Sequence, residues 1–179
     1  MKRSFCKVCL WACITLFSVS CSNGIYCQIV KFHLFPPSVV ETGKEMVDAN
    51  FVDVNGQKKR LSDYSEEGKY LLLNFWDAGC GYVKGSLPEM KEVSENYNKN
   101  ISLIGINLDD KTNWKAGLSM YEMPWQHIRD PKRLCGVASK YGIEGIPYYV
   151  IISPEGKVVD RWFGYREGII KEKVSENVK

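Results

Sequence analysis

Cysteine is scarce in most of this 179-residue sequence. Five of the seven cysteines lie within the first 27 residues, and only Cys80 and Cys135 follow them. Two cysteines cannot build the set of disulfides that holds small secreted domains together, so the main part of the chain must fold around a hydrophobic core. The length and the ordinary share of apolar residues, 45%, allow one globular domain and a short leader.

An excess of charge of one sign is also lacking in most of the chain. The 24 Lys and Arg residues outnumber the 21 Asp and Glu residues by three, and Lys2, Arg3 and Lys7 account for that whole difference. Beyond Ser20 the two signs balance. Because no basic stripe is present in the main part of the chain, we predict no nucleic-acid partner.

Metal ligands are few as well. The two histidines, His33 and His127, lie far apart, and no closely spaced cysteines follow Cys27. Zinc sites need several such ligands in close pairs, so we predict no metal site. The sequence has no glycine-rich loop that would hold a nucleotide phosphate, and we expect no cofactor.

No apolar run is long enough to span a membrane. The basic segment Met1–Lys7 is followed by the twelve-residue apolar stretch Val8–Val19, whereas a spanning helix needs about 20 residues. This pattern predicts a signal peptide over residues 1–20 and export to a bacterial periplasm. The segment that ends in Cys21 also resembles a lipoprotein signal, in which Cys21 would be lipidated and anchor the protein to a membrane. Ordinary cleavage near Ser20 is the alternative.

The next segments predict an arm and then a hairpin. Residues 21–46 contain Pro36-Pro37 and few periodic apolar positions, which indicates a linker or arm before a domain over 47–179. Segments 51–54 and 57–61 flank Asn55-Gly56. Because Asn and Gly tolerate positive φ, we expect a β-hairpin with a two-residue turn there.

The remaining pattern alternates strands with helices. The apolar run 69–76 predicts a central strand covered on both faces, and apolar spacings of three and four predict a helix over 82–98. Further strands are predicted at 101–108, 148–152 and 157–162, and further helices at 111–121, 132–140 and from about Arg166. This order implies an α/β fold with a mixed central sheet, flanked by helices.

Cys80 is the strongest candidate for a reactive side chain. It follows the predicted central strand, lies between Gly79 and Gly81, and precedes the helix over 82–98. The unpaired amides and positive dipole end of a helix N-terminus favour a thiolate. A buried and inert cysteine is the alternative.

A series of short motifs follows one order over roughly residues 43–179. These are Gly43 with Phe51, Asp53-x-Asn55-Gly56, Leu61-Ser62-Asp63-Tyr64, Leu72-Leu73-Asn74-Phe75-Trp76, Cys80-Gly81, Pro88-Glu89-Met90, Lys140-Tyr141-Gly142-Ile143-x-Gly145-Ile146-Pro147, Gly156-Lys157 and Gly164. Together they resemble the TlpA/ResA type of thiol-disulfide oxidoreductases in the thioredoxin superfamily. The resemblance implies a thioredoxin-like fold and partners that are protein or small-molecule thiols and disulfides.

The resemblance also implies roles for single residues. Cys80 would be the catalytic thiol. Pro147 would be a cis-proline opposite it, and Ile146 would offer its backbone to an extended substrate. The active-site loop would comprise Trp76, Gly79, Gly81, Tyr82 and Val83.

The sequence departs from the family pattern most clearly at position 83. Family members have a second cysteine there, which resolves the mixed disulfide formed by the first, and Val83 cannot do this. Gly79 replaces the usual tryptophan and Tyr82 the usual proline. Ser86 replaces an acidic residue, so the sequence shows no group to move protons for a resolving thiol.

Several functions therefore remain open. Cys80 could act alone, with an external reductant thiol resolving its mixed disulfide. Cys135 could resolve it instead, but we expect Cys135 to pack as a partly buried residue too far from Cys80. The protein could also have lost catalysis and bind an extended peptide near Pro147. A thiol peroxidase is less favoured, because Asp77 stands where such enzymes place Thr or Ser.

Overall fold

Strand β3, Tyr70–Trp76, corresponds to the predicted central apolar run. It pairs in parallel with β4, Ile101–Asn107, and antiparallel to β6, Tyr148–Ile152. Every residue of β3 from Leu71 onward is buried, as the continuous apolar sequence requires. The computed structural model describes residues 39–133 and 136–179.

Within these residues, seven strands form one mixed sheet in the order β2-β1-β5-β4-β3-β6-β7. The other strands are β1, Asn50–Asp53; β2, Lys58–Arg60; β5, Gln126–Arg129; and β7, Val158–Phe163. The helices are α1, Gly81–Asn96; α2, Lys111–Tyr121; α3, Val137–Lys140; and α4, Ile169–Asn177, with a 3-10 turn over Leu61–Tyr64. The predicted mixed sheet, flanking helices and N-terminal hairpin are confirmed.

Two hydrophobic cores lie on opposite faces of the sheet. Alternate residues of β3 point to opposite faces, so Leu72 and Trp76 belong to one core and Leu73 and Phe75 to the other. Helices α1, α2 and α4 cover the Trp76 face. Helix α3 and the segments before β1 cover the opposite face. In the described part of the chain, no helix is long and apolar enough to cross a membrane.

The hairpin turn differs from the prediction. Its loop holds three residues instead of two, because the amide of Gly56 donates to the carbonyl of Asp53 and the amide of Asp53 donates to the carbonyl of Gln57. The carboxylate of Asp53 also accepts the amides of Asn55 and Gln57 at 2.9 and 2.8 Å. Gly56 alone takes positive φ, at 84°, so the predicted pair of left-handed residues is wrong.

Other elements begin or end away from their predicted limits. Helix α3 is shorter than predicted, and helix α4 begins three residues after Arg166. The described end of the predicted arm is bound to α3 and to the sheet: the amide of Val40 donates to the carbonyl of Lys140 at 2.8 Å, and that of Gly43 to the carbonyl of Val158 in β7 at 2.7 Å. The boundary between arm and domain stays a prediction.

Candidate active site

Cys80 is the N-cap residue of α1 and lies four residues after Trp76, the last residue of β3. Its carbonyl oxygen accepts the amides of Val83 and Lys84 at 3.1 and 3.4 Å, which begins the helix. The first turn of α1 has no acidic residue, so no carboxylate within that turn neutralises the positive end of the helix dipole. Cys80 is half-buried.

The loop before β6 lies opposite the sulfur. Sγ of Cys80 lies 3.6 Å from the carbonyl oxygen of Ile146, and the Ile146–Pro147 peptide bond is cis. The structure thus places Cys80 next to the Ile146–Pro147 segment, which begins 66 residues later in the sequence. Their predicted roles in substrate binding stay predictions.

The residues after Cys80 point in different directions. Val83 is fully buried in the core on the Trp76 face, whereas the ring of Tyr82 is 67% exposed. A Cβ added at Gly81 would meet no atom within 4 Å, and one at Gly79 would make only ordinary contact with Asp77. The two glycines therefore reflect neither close packing nor positive φ at these positions.

The loop between β3 and α1 is fixed through Ala78. The amide of Ala78 donates to the Asp109 carboxylate at 2.8 Å, and the hydroxyl of Tyr121 donates to the Ala78 carbonyl at 2.7 Å. Asn107 in turn donates to Asp109 at 3.0 Å through its side-chain amide. These hydrogen bonds fix both the amide and the carbonyl of Ala78, two residues before the thiol.

Sequence reasoning missed both anchors of Ala78. A signal for Asp109 was present, because β3 and β4 are parallel neighbours and their carboxyl ends meet at one edge of the sheet. The position of Tyr121 depends on how α2 packs across the sheet, and no local pattern indicates it.

Two carboxylates lie close to the Cys80 loop. The carboxylate of Asp77 accepts the amide of Gly79 at 2.9 Å, and partial burial followed by the nearby Asp109 charge raises the pKa of Asp77. Burial, and then the charges of Asp77, Cys80 and Asp109, raise the pKa of Tyr121.

Ser86 and Glu89 occupy the inner side of α1. The Ser86 hydroxyl donates to the Val83 carbonyl at 2.8 Å, so it is bound within its own helix. The buried carboxylate of Glu89 accepts the amides of Gly168 and Lys171 at 3.1 and 2.8 Å and thereby caps α4. Glu89, the buried acid of α1, thus stabilises the fold. The sequence analysis identified it only as part of the Pro88-Glu89-Met90 motif.

Trp76 lies under the loop and is fully buried. Its ring centroid lies 5.7 Å from that of His127 and 6.1 Å from that of Tyr121, both in edge-on contact. His127 is buried in β5, which lies between β1 and β4 inside the sheet, and burial lowers the pKa of its imidazole to about 4. A Cβ at Gly105 would lie 2.4 Å from Nδ1 of His127, so glycine is required beside this ring.

Other predicted residues fall outside the site. Cys21, His33 and Cys135 lie outside the described residues. Within residues 39–133 and 136–179, no group of three His, Cys, Asp or Glu side chains is arranged to hold a metal ion. A surface cavity of about 530 Å³ lies between the hairpin and the start of β5, and its lining includes none of the predicted site residues.

Comparisons with known proteins find the same kind of protein by sequence and by fold. The sequence profile of the AhpC/TSA family matches residues 42–161. The ResA thiol-disulfide oxidoreductase of Bacillus subtilis (strain 168) is 30% identical over 131 residues, which cover 68% of this chain and 71% of that protein. The thioredoxin domain of a thiol-disulfide oxidoreductase from Bacteroides vulgatus has a TM-score of 0.66 at 26% identity and covers 76% of this chain, with 97% of that domain matched.

A third similarity concerns a lipoprotein. The exposed lipoprotein thioredoxin of Streptococcus pneumoniae strain TIGR4 has a TM-score of 0.59 at 25% identity. The match covers 73% of this chain and 99% of that structure.

Proposed function

Since this chain belongs to the AhpC/TSA family, and within it to the ResA-like thiol-disulfide oxidoreductases of thioredoxin-like fold, we propose that it exchanges thiols and disulfides through Cys80 alone. The observation that carries the proposal is the placement of Cys80. The thiol is partly exposed at the N-terminus of α1, and its sulfur lies 3.6 Å from the Ile146 carbonyl.

The exchange has two balanced steps. The Cys80 thiolate attacks one sulfur of a partner disulfide, a new disulfide forms, and the other partner sulfur leaves as a thiolate that takes a proton from water. An external thiol then attacks the mixed disulfide, bonds to the partner sulfur and releases Cys80 as a thiolate. Over the two steps Cys80 passes from thiolate to mixed disulfide and back. One partner sulfur is reduced to a free thiol, and the external thiol is oxidised into a disulfide with the other partner sulfur.

The single-cysteine route follows from the surroundings of position 83. Val83 is packed in the core and offers no sulfur, and the Ser86 hydroxyl is bound within α1. Glu89 is occupied by the amides of α4. The described groups behind Cys80 therefore support packing and supply no resolving thiol, which favours resolution by an external thiol.

We further propose that the protein works outside the cytoplasm, attached to a membrane through Cys21. The support is the basic and apolar leader, the lipoprotein-like sequence before Cys21, and the similarity to an exposed lipoprotein thioredoxin. The mass of the mature N-terminus tests this proposal. A diacylated Cys21 supports it, and an unmodified serine-led terminus contradicts the lipid anchor.

Turnover of a small disulfide tests the exchange. Purified protein, hydroxyethyl disulfide and glutathione are combined, and oxidised glutathione is followed through a coupled reductase. We expect turnover by the wild type, none above background by Cys80→Ser, and an unchanged rate for Cys135→Ser. Loss of turnover in Cys135→Ser would instead identify Cys135 as the resolving thiol.

The alternative, a peptide-binding protein without catalysis, predicts a different result. In that case wild type and Cys80→Ser show the same absence of turnover and bind an extended peptide equally well. A peroxidase gains no support from the loop, because the Asp77 carboxylate stands at the position of the usual hydroxyl and accepts the Gly79 amide.

A further inference from the structure

We infer that the preferred partner of Cys80 is a protein segment with apolar side chains on both sides of its disulfide-bonded cysteine, and that Tyr82 and Phe163 hold those side chains. The inference rests on the proposed function of Cys80 and names the substrate class of that site.

Large apolar side chains on the surface are the first observation. Those that are clearly exposed in the described residues are Val39, Val54, Tyr82, Met120 and Phe163. Leaving such a group in water forgoes about 25 cal/mol for each Å² that could be buried. Two of them lie on elements near Cys80: Tyr82, 67% exposed, is in the first turn of α1, and Phe163, 65% exposed, packs against Gly145 just before Ile146.

Tyr82 provides the surface on the helix side. It is the second residue of α1 and follows Cys80 by two positions. Its neighbour Val83 enters the core, whereas the Tyr82 ring stays in solvent. An aromatic ring at this place offers a rigid apolar contact to whatever is bonded to Sγ.

Phe163 provides the surface on the other side. It ends β7, opposite Tyr148, and the next amide, that of Gly164, donates to the Pro147 carbonyl at 2.8 Å. Its ring lies against Gly145, where an added Cβ would come within 2.6 Å of Cε2.

This packing ties the Phe163 ring to the loop that faces Cys80. Gly145 is joined directly to Ile146, whose carbonyl oxygen is 3.6 Å from Sγ. Tyr82 thus belongs to one of the two segments that meet at the sulfur, and the Phe163 ring packs on the other. An extended segment bonded to Cys80 can cover one ring with the side chain before its cysteine and the other ring with the side chain after it.

A panel of mixed disulfides tests the inference. Two unstructured peptides carry one cysteine as a mixed disulfide with thionitrobenzoate, flanked by leucines in one and serines in the other. The release of the coloured thiol by Cys80 is followed below saturation. Hydroxyethyl disulfide, the small reference, releases no coloured thiol, so its reaction is followed as the Cys80 adduct by intact mass. We expect the wild type to react with the leucine peptide about tenfold faster than with the serine peptide, since buried aromatic contacts dominate such interfaces.

Single alanine variants identify the rings. Tyr82→Ala and Phe163→Ala should each lower this preference about threefold, and the ratio of the two peptide rates cancels any change in the reactivity of Cys80 itself. Val54→Ala is the matched control, because Val54 is also exposed but lies in the hairpin turn away from Cys80. It should keep the full preference. Both aromatic side chains are exposed, so the variants should fold, and circular dichroism verifies this.

The outcomes separate the inference from the proposed function. Equal rates on the two peptides, with normal reaction of hydroxyethyl disulfide, would overturn the inference and leave exchange by Cys80 standing. A preference that survives in both alanine variants would overturn the assignment to Tyr82 and Phe163. Failure of Cys80 to react with any disulfide would overturn the proposed function itself.

Discussion

Gly117 of α2 lies directly against Ala78 in the loop before Cys80. A Cβ added at position 117 would lie 2.8 Å from the Cβ of Ala78 and 3.0 Å from the Trp76 ring. Real side chains do not approach so closely, so the absence of a side chain at 117 allows α2 to support the loop. The same helix supplies the Tyr121 hydroxyl that holds the Ala78 carbonyl.

Gly117→Ala should therefore lower the free energy of unfolding, by about 1–3 kcal/mol, because the added methyl group overpacks the contact. Gly85→Ala is the control, since a Cβ there would lie 3.7 Å from the Tyr165 ring in ordinary contact. That change should stabilise α1 by up to about 1 kcal/mol through helix propensity. Urea unfolding measures both, and a stabilised Gly117→Ala would contradict the close packing.

Glu89→Gln should destabilise the fold by about 1–2 kcal/mol, because the carboxylate accepts two amides at the start of α4 with charge assistance. Glu92→Gln is the control on the same helix. Its carboxylate forms an exposed ion pair with Lys171 at 3.0 Å, so its loss should leave the free energy of unfolding nearly unchanged. Equal effects of the two changes would show that the Glu89 cap is not the cause.

His127 makes the stability depend on pH. Burial lowers its pKa from 6.5 to about 4, so the unfolded chain binds a proton more readily than the folded chain between these values. The free energy of unfolding should be highest above pH 6.5 and should fall by about 3 kcal/mol as the pH drops to 4.

A variant isolates this contribution from the carboxylates that titrate in the same range. His127→Gln has no ionisable group at 127, so its free energy of unfolding should decrease less between pH 6.5 and 4 than that of the wild type. Urea unfolding at several pH values gives the difference of the two slopes. Parallel curves would contradict a buried, neutral His127.

Val83→Cys should convert the site to a dithiol. Position 83 lies in the same helical turn as Cys80, with its amide 3.1 Å from the Cys80 carbonyl, and cysteine is smaller than the buried valine. Oxidation should join the two sulfurs, and intact mass should show the loss of two hydrogens relative to the reduced variant. Val83→Ala removes the same packing without adding a thiol, so it should form no such bond. Failure of Val83→Cys to form the disulfide would contradict the geometry of the helix start.

The parts of the fold that depend on local pattern could be predicted from the sequence. The uninterrupted apolar run predicts β3 because a strand covered on both faces needs no polar alternation. The hairpin turn was predicted less well, since the Asp53 carboxylate binds two amides and lengthens the loop. Asn-Gly alone does not reveal that contact.

The parts of the site that depend on distant contacts could not be predicted. Glu89 binds amides 79 and 82 residues away, and Tyr121 binds a carbonyl 43 residues away. Such pairs depend on how helices cross the sheet, which periodicity does not specify. The position of Cys80 between β3 and α1 could be predicted, because the apolar run before it predicts a strand and the apolar spacing after it predicts a helix. The family resemblance places the catalytic thiol at the same position.

The stoichiometry of a single turnover tests the central claim most directly. An excess of an aromatic disulfide is added to the reduced protein, and the thiols released per chain are counted against those released by Cys80→Ser. A thiol that acts alone gives a difference of one and a mixed disulfide at Cys80 in intact mass, which persists until an external thiol is added. An internal disulfide in place of the adduct, whatever the difference, or a difference of zero, would contradict exchange by Cys80 alone.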